Sequence, residues 1–236
     1  MLLSRRAVCR LLGSVVALAA LAAPALAEPA GECTGFAFIA KTPAMIARIA
    51  AAAPKTFFIR SSSENASCPA DTAACRARTY LVPGDLVLAG ATAGAFTCAT
   101  FQSLSPKGQI MTSGWIPSAS LAAVAPAPAP IDWTGAWWKT SSKLAIKPAA
   151  GGKLKIAGEA TYPVAGGVRT TEVDGEAKPA NGILAFAGSG EIAFDTAPDD
   201  ACRFRMQRVD ALLVVEDNGQ CGDGMASFTG LYQRRR

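Results

Sequence analysis

Residues 202–206 read Cys-Arg-Phe-Arg-Met, so that apolar or sulfur-bearing side chains alternate with arginines. A period of two is typical of a β-strand whose two faces lie in different surroundings. The pattern predicts a strand over residues 202–209 in which Cys202, Phe204 and Met206 face a core. The two arginines of this stretch are expected on the opposite face.

Similar patterns fill the C-terminal half of the chain, residues 132–236. Strand or turn signals recur about every 8 to 12 residues, and no helical period interrupts them. We therefore expect about eight antiparallel strands that form a closed barrel or a compact sandwich. The predicted strands are residues 143–146, 153–157, 168–177, 183–187, 191–194, 202–209, 211–216 and 225–232.

A proline-rich stretch precedes this half. Residues 122–131 read Ala-Ala-Val-Ala-Pro-Ala-Pro-Ala-Pro-Ile, and alternating prolines forbid a helix and favour an extended polyproline conformation. We interpret residues 125–131 as a linker that separates a domain at residues 28–124 from one at residues 132–236. Fully extended, it would hold its neighbours about 20 to 30 Å apart. A proline-rich loop within one domain is the alternative.

The N-terminal half begins with a predicted strand at residues 35–40 and an Ala-rich predicted helix at residues 43–53. Pro43 suits the first turn of such a helix. Strand signals follow at residues 56–60, 78–82, 86–89, 96–101 and 109–116. The predicted fold class is therefore mainly all-β, with one short helix.

Three motifs lie in order within this half: Phe-Phe-Ile-Arg-Ser at 57–61, Tyr-Leu-Val-Pro-Gly-Asp at 80–85, and Gly-Trp-Ile-Pro at 114–117. Together they resemble the bacterial SH3-like (SH3b) domain over about residues 55–121. The resemblance implies a small five-stranded barrel that binds peptides, peptidoglycan stems or neighbouring domains, and it implies no catalysis. A long cysteine-bearing loop at residues 61–77 departs from the pattern.

Aromatic residues are the candidates for a binding groove. In the SH3-like region they are Phe58, Tyr80, Phe101 and Trp115, and Trp115 can equally be a core residue. Residues 133–138, Trp-Thr-Gly-Ala-Trp-Trp, resemble the Gly-x-Trp opening of lipocalin-like and avidin-like barrels, which adds Trp133 and Trp137 to the candidates. Residues 215–232 are similar to the tail of uncharacterised secreted bacterial β-barrel modules.

Six cysteines remain once residues 1–27 are set aside, an even number that predicts disulfides in an exported chain. Six cysteines allow 15 pairings, and a division into two domains reduces the choice. We expect the pairs Cys202 with Cys221, Cys68 with Cys75 and Cys33 with Cys98. No Cys-x-x-Cys spacing supports a zinc site.

The chain has no histidine, which excludes Ser-His-Asp and Cys-His catalysis and histidine-containing metal sites. Only carboxylates could act as acid and base. Glu172, Asp174 and Glu176 alternate along one predicted strand and could serve a carboxylate-only hydrolase, or they form a solvated face opposite basic residues such as Lys155 and Arg205. We predict no catalytic residue, metal or cofactor.

The N-terminus has the pattern of a secretory signal peptide at residues 1–27. Three arginines precede an apolar run at residues 11–23, and Ala-Leu-Ala at 25–27 provides a cleavage site before Glu28. The run is shorter than the roughly 18 apolar residues of a membrane-spanning helix. The basic start resembles a twin-arginine signal, and both that route and ordinary secretion stay open.

These features together predict an exported, non-catalytic binding protein of the cell envelope, periplasmic or secreted. The SH3-like region is expected to bind a peptide or cell-wall component, and the C-terminal barrel a protein or small ligand. An inhibitor or adaptor of cell-wall enzymes is the alternative. Without residues 1–27 the chain keeps 20 basic and 18 acidic residues, a balance that argues against nucleic-acid binding. We expect no membrane segment after cleavage, and the oligomeric state stays open.

The first testable prediction concerns the start of the exported protein. Because the small-residue site ends at Ala27, the mature chain is expected to begin at Glu28. Mass spectrometry of periplasmic material measures this directly. Membrane-bound protein that still begins at Met1 would contradict the prediction.

Overall fold

The structure is a computed structural model that describes residues 32–52, 55–103, 110–124, 127 and 130–235. The predicted signal peptide, residues 1–27, lies outside the described residues. Within these ranges no helix has the length and apolar character needed to cross a membrane.

Strands dominate the described chain, and they form two antiparallel sheets, which confirms the all-β prediction. The strands before the proline-rich stretch are β1 (Met45–Ile49), β2 (Thr56–Ile59), β3 (Arg76–Leu81), β4 (Leu86–Ala93), β5 (Phe96–Gln102), β6 (Met111–Pro117) and β7 (Leu121–Ala123). Those after it are β8 (Gly135–Lys139), β9 (Ser142–Pro148), β10 (Leu154–Val164), β11 (Gly167–Ala177), β12 (Ile183–Ala187), β13 (Arg203–Val209), β14 (Leu212–Asp217) and β15 (Gly230–Arg234). Three single 3-10 turns lie at Ser118–Ser120, Ala150–Gly152 and Phe194–Thr196.

The N-terminal sheet has the strand order β3-β2-β6-β5-β4-β1-β7. The helix predicted at residues 43–53 is wrong, because β1 occupies that position and pairs with β4 on one side and β7 on the other. Pairing on both sides satisfies the β1 backbone, and its apolar side chains bury on both faces of the sheet, which overrides the helix propensity of alanine. The strand predicted at residues 35–40 is also absent, apart from one bridge between Ile39 and Thr42.

The C-terminal sheet has the order β11-β10-β9-β8-β15-β14-β13-β12 and curls into a nearly closed barrel. At the closure, the Glu176 N–H donates to the Ser189 carbonyl at 3.1 Å. The strand predicted at residues 191–194 is wrong, since Ile192 forms only one bridge, to Ala187, and a 3-10 turn begins at Phe194. The turn just before it passes through Gly188 and Gly190, both with positive φ. The eighth strand is instead β8, which the sequence patterns missed.

The barrel encloses an aromatic core. Phe186 stacks on Phe204 with ring centroids 5.2 Å apart, and Phe204 meets the edge of Phe228 at 5.6 Å. Gly175 allows this packing, because a Cβ at that position would lie 2.4 Å from the Phe186 ring. The predicted inward face of β13 is confirmed: Phe204 and Met206 are fully buried in this core, and Cys202 packs at its edge.

The opposite face of β13 is also buried, contrary to the expectation of a solvated face. Arg205 and Glu216 form an ion pair at 2.7 Å, with side chains 3% and 0% exposed. Residues 39–44 cover this pair. The Arg205 guanidinium donates to the carbonyls of Ile39, Ala40 and Thr42 at 3.0, 3.1 and 2.8 Å, and the Ala44 N–H donates to both Glu216 carboxylate oxygens at 3.1 Å.

The two halves of the chain therefore pack directly on each other. One apolar cluster is shared between them and consists of Ala44, Ile46, Leu88, Val209, Val214 and Leu231. The Gln102 side chain adds two hydrogen bonds to the Leu231 backbone, at 2.7 and 2.9 Å. The Ala127 N–H donates to the Arg208 carbonyl at 2.9 Å and thus attaches the proline-rich stretch to β13. The division into two domains at residues 125–131 stays a prediction.

All three predicted disulfides are present: Cys33–Cys98, Cys68–Cys75 and Cys202–Cys221. The first two lie together in a small cluster with Ile59 and Trp115 in the N-terminal half. The third joins the start of β13 to the loop that follows β14. It therefore fastens the loop at one end of the barrel.

The second prediction is that replacing both Cys202 and Cys221 by Ala destabilises the protein by about 3 kcal/mol, because the unfolded chain loses a loop constraint. Replacing Cys68 and Cys75 by Ala is the matched control. That disulfide spans 7 residues instead of 19, so the loss of chain constraint is smaller. Urea denaturation measures both. Equal stability of the Cys202/Cys221 double variant and the wild type, or free thiols at these positions, would contradict the prediction.

The third prediction concerns the ion pair between the halves. Glu216→Gln leaves the Arg205 charge buried without its carboxylate, which is expected to cost about 3 to 5 kcal/mol. Asp210→Asn is the control, since it breaks the exposed Arg48–Asp210 pair, which also joins the halves, and is expected to cost about 0 to 1 kcal/mol. Denaturant midpoints report both. A similar effect of the two substitutions would mean that the buried pair has no special part in joining the halves.

Candidate functional site

Most of the predicted aromatic candidates lie inside the protein. Phe58 and Trp115 are buried in the N-terminal half, and Trp133 and Trp137 are buried in the barrel core. Phe101, in β5, is half-buried and packs against an apolar cluster of the N-terminal sheet. Trp115 is 3% exposed and, together with Phe58, also borders a small pocket of about 120 Å³.

Tyr80 is the candidate with an exposed ring, at 44% exposure. It packs against Phe57 with ring centroids 5.7 Å apart, and the Lys55 ammonium lies 4.3 Å from its ring centre. The remaining candidates do not join it at the surface. The structure thus does not assemble the six aromatic residues into one groove.

The barrel tryptophans have structural partners. The Trp137 indole N–H donates to the Trp133 carbonyl at 3.1 Å, and both side chains belong to the barrel core. The guanidinium groups of Arg208 and Arg234 lie 4.5 and 5.0 Å from the Trp137 ring centre. This cation–π arrangement holds the C-terminal strand over the ring.

A cleft of about 990 Å³ lies between the two halves. One wall consists of residues 34–40, which we name the N-terminal strap, and of the outer face of β5 and β6. The other wall is built from the turn between β8 and β9, residues 139–141, and from the loop that joins β14 to β15. Hydroxyl groups are frequent on both walls, and Phe36 and Phe38 supply apolar surface.

The strap is fixed along the N-terminal sheet at several points. The Cys33–Cys98 disulfide attaches its start, and the Phe36 N–H donates to Thr100 Oγ1 at 2.9 Å. Gly35, with φ of +100°, lies so close to the sheet that a Cβ there would be 2.7 Å from Ser113 Oγ. This close approach requires glycine and sets the depth of the cleft at that side.

Lys139, at the end of β8, brings an ammonium group into the opposite wall. Its Nζ donates to the carbonyls of Ser227 and Thr229 at 3.1 and 2.7 Å and lies 5.6 Å from the Tyr232 ring centre. Burial lowers the pKa of Lys139 to about 8, while the nearby Asp217 carboxylate acts in the opposite direction. The amine is therefore partly neutral just above physiological pH.

The Asp217 carboxylate is occupied in holding the loop after β14. It accepts hydrogen bonds from the Gly219 N–H at 3.0 Å, from Ser227 Oγ at 3.1 Å and from the Phe228 N–H. Its lone pairs are thus directed to the protein itself. The residue shapes the cleft and is poorly placed to act as a base.

Arg203 is the second cation of the cleft, and its residue is only 7% exposed. Its terminal nitrogen donates to the Ala197 carbonyl and to Asp199 Oδ1, the latter at 3.3 Å. Its Nε is buried and has no hydrogen-bond partner among the described residues. A buried N–H of this kind is costly to leave without an acceptor.

The acidic stripe predicted on β11 lies on the outside of the barrel. Asp174 forms an ion pair with Lys155 at 3.6 Å, and Glu172 is exposed to solvent. Asp223 accepts a hydrogen bond from the Tyr162 hydroxyl at 2.7 Å, and this bond lowers the pKa of the Asp223 carboxyl. Within the described ranges, no cluster of three or more Asp, Glu, His or Cys could hold a metal ion.

The sequence patterns missed the cleft and its two cations. Its walls come from several segments spread over 195 positions of the chain, from Thr34 to Thr229, so no local motif marks it. The alternation in β13 identified the face that carries Arg203, but not what covers that face.

Comparison with known proteins adds no relative to this description. No family model, no curated protein and no solved structure matches the chain. The resemblance to SH3-like domains therefore stays a prediction.

Proposed function

We propose that the protein is an exported, non-catalytic binding protein of the cell envelope, and that the cleft between its halves binds a peptide or a cell-wall component. The cleft carries this proposal. Its volume of about 990 Å³ lies at the upper end of the range for ligand sites in proteins. Hydroxyl groups and loop amides on its walls suit a polar ligand, and Phe36 and Phe38 offer apolar contact.

The chemistry of the walls favours binding over catalysis. Thr100 Oγ1 and Ser113 Oγ bond each other at 3.0 Å, so these hydroxyls have no base beside them. The Asp217 carboxylate is directed to its own loop, and the Lys139 ammonium already donates two hydrogen bonds. These groups are preorganised to present hydrogen bonds, which supports recognition of a ligand.

The three disulfides support export, since such bonds persist in oxidising compartments. A periplasmic or secreted location follows from this proposal and from the predicted signal peptide.

A second function, that of an inhibitor or adaptor of cell-wall enzymes, has one observation in its favour. Residues 61–75 form an exposed loop that the Cys68–Cys75 disulfide closes. Within it Asn65 Oδ1 accepts hydrogen bonds from the Ser67 N–H and Oγ at 3.1 and 2.9 Å. A loop held in this way loses little entropy on inserting into a partner. Slower clearing of a bacterial suspension by lysozyme in the presence of the protein would support this function.

The fourth prediction tests the cleft. The mature protein is expected to sediment with purified peptidoglycan, and Met111→Trp is expected to reduce the bound fraction by tenfold or more. Met111 lines the cleft and is 52% exposed, so a larger side chain fills ligand space without disturbing the core.

Met225→Trp is the matched control, because Met225 is 66% exposed and is not part of the cleft. It should sediment like the wild type. If wild-type protein stays in the supernatant, the proposed function is wrong. Equal loss in both variants would place the binding surface elsewhere.

A further inference from the structure

We propose that the cleft recognises a carboxylate group of its ligand, held between the Lys139 ammonium and the Arg203 guanidinium. This inference rests on the proposed function and makes it more specific, because it names the chemical group that the cleft selects. The expected ligand is a peptide with a free carboxylate, as in a fragment of the cell wall.

Arg203 supplies the first argument. The residue is nine-tenths buried, lines the cleft, and leaves its Nε without an acceptor among the described residues. The Asp199 side chain, its ion-pair partner, is fully exposed and contacts the terminal nitrogen at 3.3 Å. A guanidinium offers donors in a planar fork that matches the two oxygens of a carboxylate. A ligand carboxylate at this wall would therefore compensate a guanidinium charge whose own ion-pair partner lies in solvent.

Lys139 supplies the second argument. An ammonium group has three donors, and two of them are used for the carbonyls of Ser227 and Thr229. These two bonds hold the charge at the wall of the cleft. The desolvation that lowers its pKa to about 8 also means that an incoming anion stabilises the charged form.

The acidic residues nearby leave these two cations available. Asp217 lies close enough to oppose the desolvation of Lys139, but its oxygens accept hydrogen bonds from the Gly219 N–H, from Ser227 Oγ and from the Phe228 N–H. Tyr232, beneath the Lys139 ammonium, stays protonated because burial raises its pKa. Among the described residues the Lys139 ammonium donates to two backbone carbonyls and to no carboxylate.

The test compares two forms of one probe, soluble disaccharide-peptide fragments of peptidoglycan with free carboxylates and the same fragments with all carboxylates amidated. Calorimetric titration of the mature protein is expected to give at least tenfold tighter binding of the acid form. Lys139→Met is expected to abolish most of this preference. Lys143→Met removes the same charge from the exposed Lys143–Glu159 pair on the outside of the barrel and should keep it.

A second measurement keeps the proposal testable if a substitution disturbs folding. Affinity of wild-type protein for the acid form is expected to fall about tenfold between pH 7 and pH 9.5, since Lys139 loses its charge as the pH rises through about 8. The ligand carboxylates stay ionised over this range. Bound ligand should raise the pKa of Lys139, which NMR of its Cε resonance reports.

The outcomes separate this inference from the proposed function. Equal binding of acid and amidated fragments, with no change across the pH range, would overturn the carboxylate site and leave the proposed function intact. Absence of binding by both forms would overturn both. Preference for the acid form that survives in Lys139→Met would move the carboxylate site away from this residue.

Discussion

The buried ion pair between Arg205 and Glu216 governs how the two halves of this protein meet. Two charges removed from water require a complete set of partners, and each remaining donor or acceptor must be satisfied. Arg205 finds three backbone carbonyls in residues 39–42, and Glu216 finds the Ala44 N–H. Only this segment, laid in this direction, completes the set. The pair therefore mainly fixes how the two halves are oriented, because the cost of removing both charges from water offsets the attraction between them.

The cleft is a consequence of that geometry. The N-terminal strap is attached to the N-terminal sheet by the Cys33–Cys98 disulfide and to the barrel by the Arg205 contacts at Ile39 and Ala40. Between these attachments Phe36 and Phe38 lie along the cleft, and the Phe38 ring is 5.1 Å from the Arg205 guanidinium. A wall fixed at both ends keeps its shape without a ligand, which lowers the entropic cost of binding.

The cleft also explains why charged groups are retained at the barrel end. Lys139, Arg203 and Asp217 come from strands whose other residues fill an apolar core. Asp217 organises the loop after β14, and this loop provides the carbonyls that hold Lys139. In this wall the Asp217 carboxylate holds the loop through hydrogen bonds, and the carbonyls of that loop hold the Lys139 ammonium. Such an arrangement fixes the charge of Lys139 at the wall of the cleft.

Local patterns in the sequence were sufficient for much of the secondary structure and for the three disulfides. Strand alternation depends on residues two positions apart, as in residues 202–206, and such a signal does not need the rest of the fold. The helix predicted at residues 43–53 failed because strand partners 38 to 76 residues away, β4 and β7, provide its backbone hydrogen bonds. Local propensity carries no information about such partners.

The functional surface was decided by tertiary structure. Aromatic residues such as Trp115 and Trp137 suit a ligand platform and a core equally well, and only packing shows that they are buried. Arg203 and Lys139 have no distinctive sequence context, since a cation acquires its role from what surrounds it in space. The sequence by itself determined the overall class and most of the strands, because these follow from local periodicity and composition. The cysteine count and the proline-rich stretch together limited the cysteine pairing. The cleft depended on the meeting of two sheets, because burial and the satisfaction of buried charge are properties of the assembled fold.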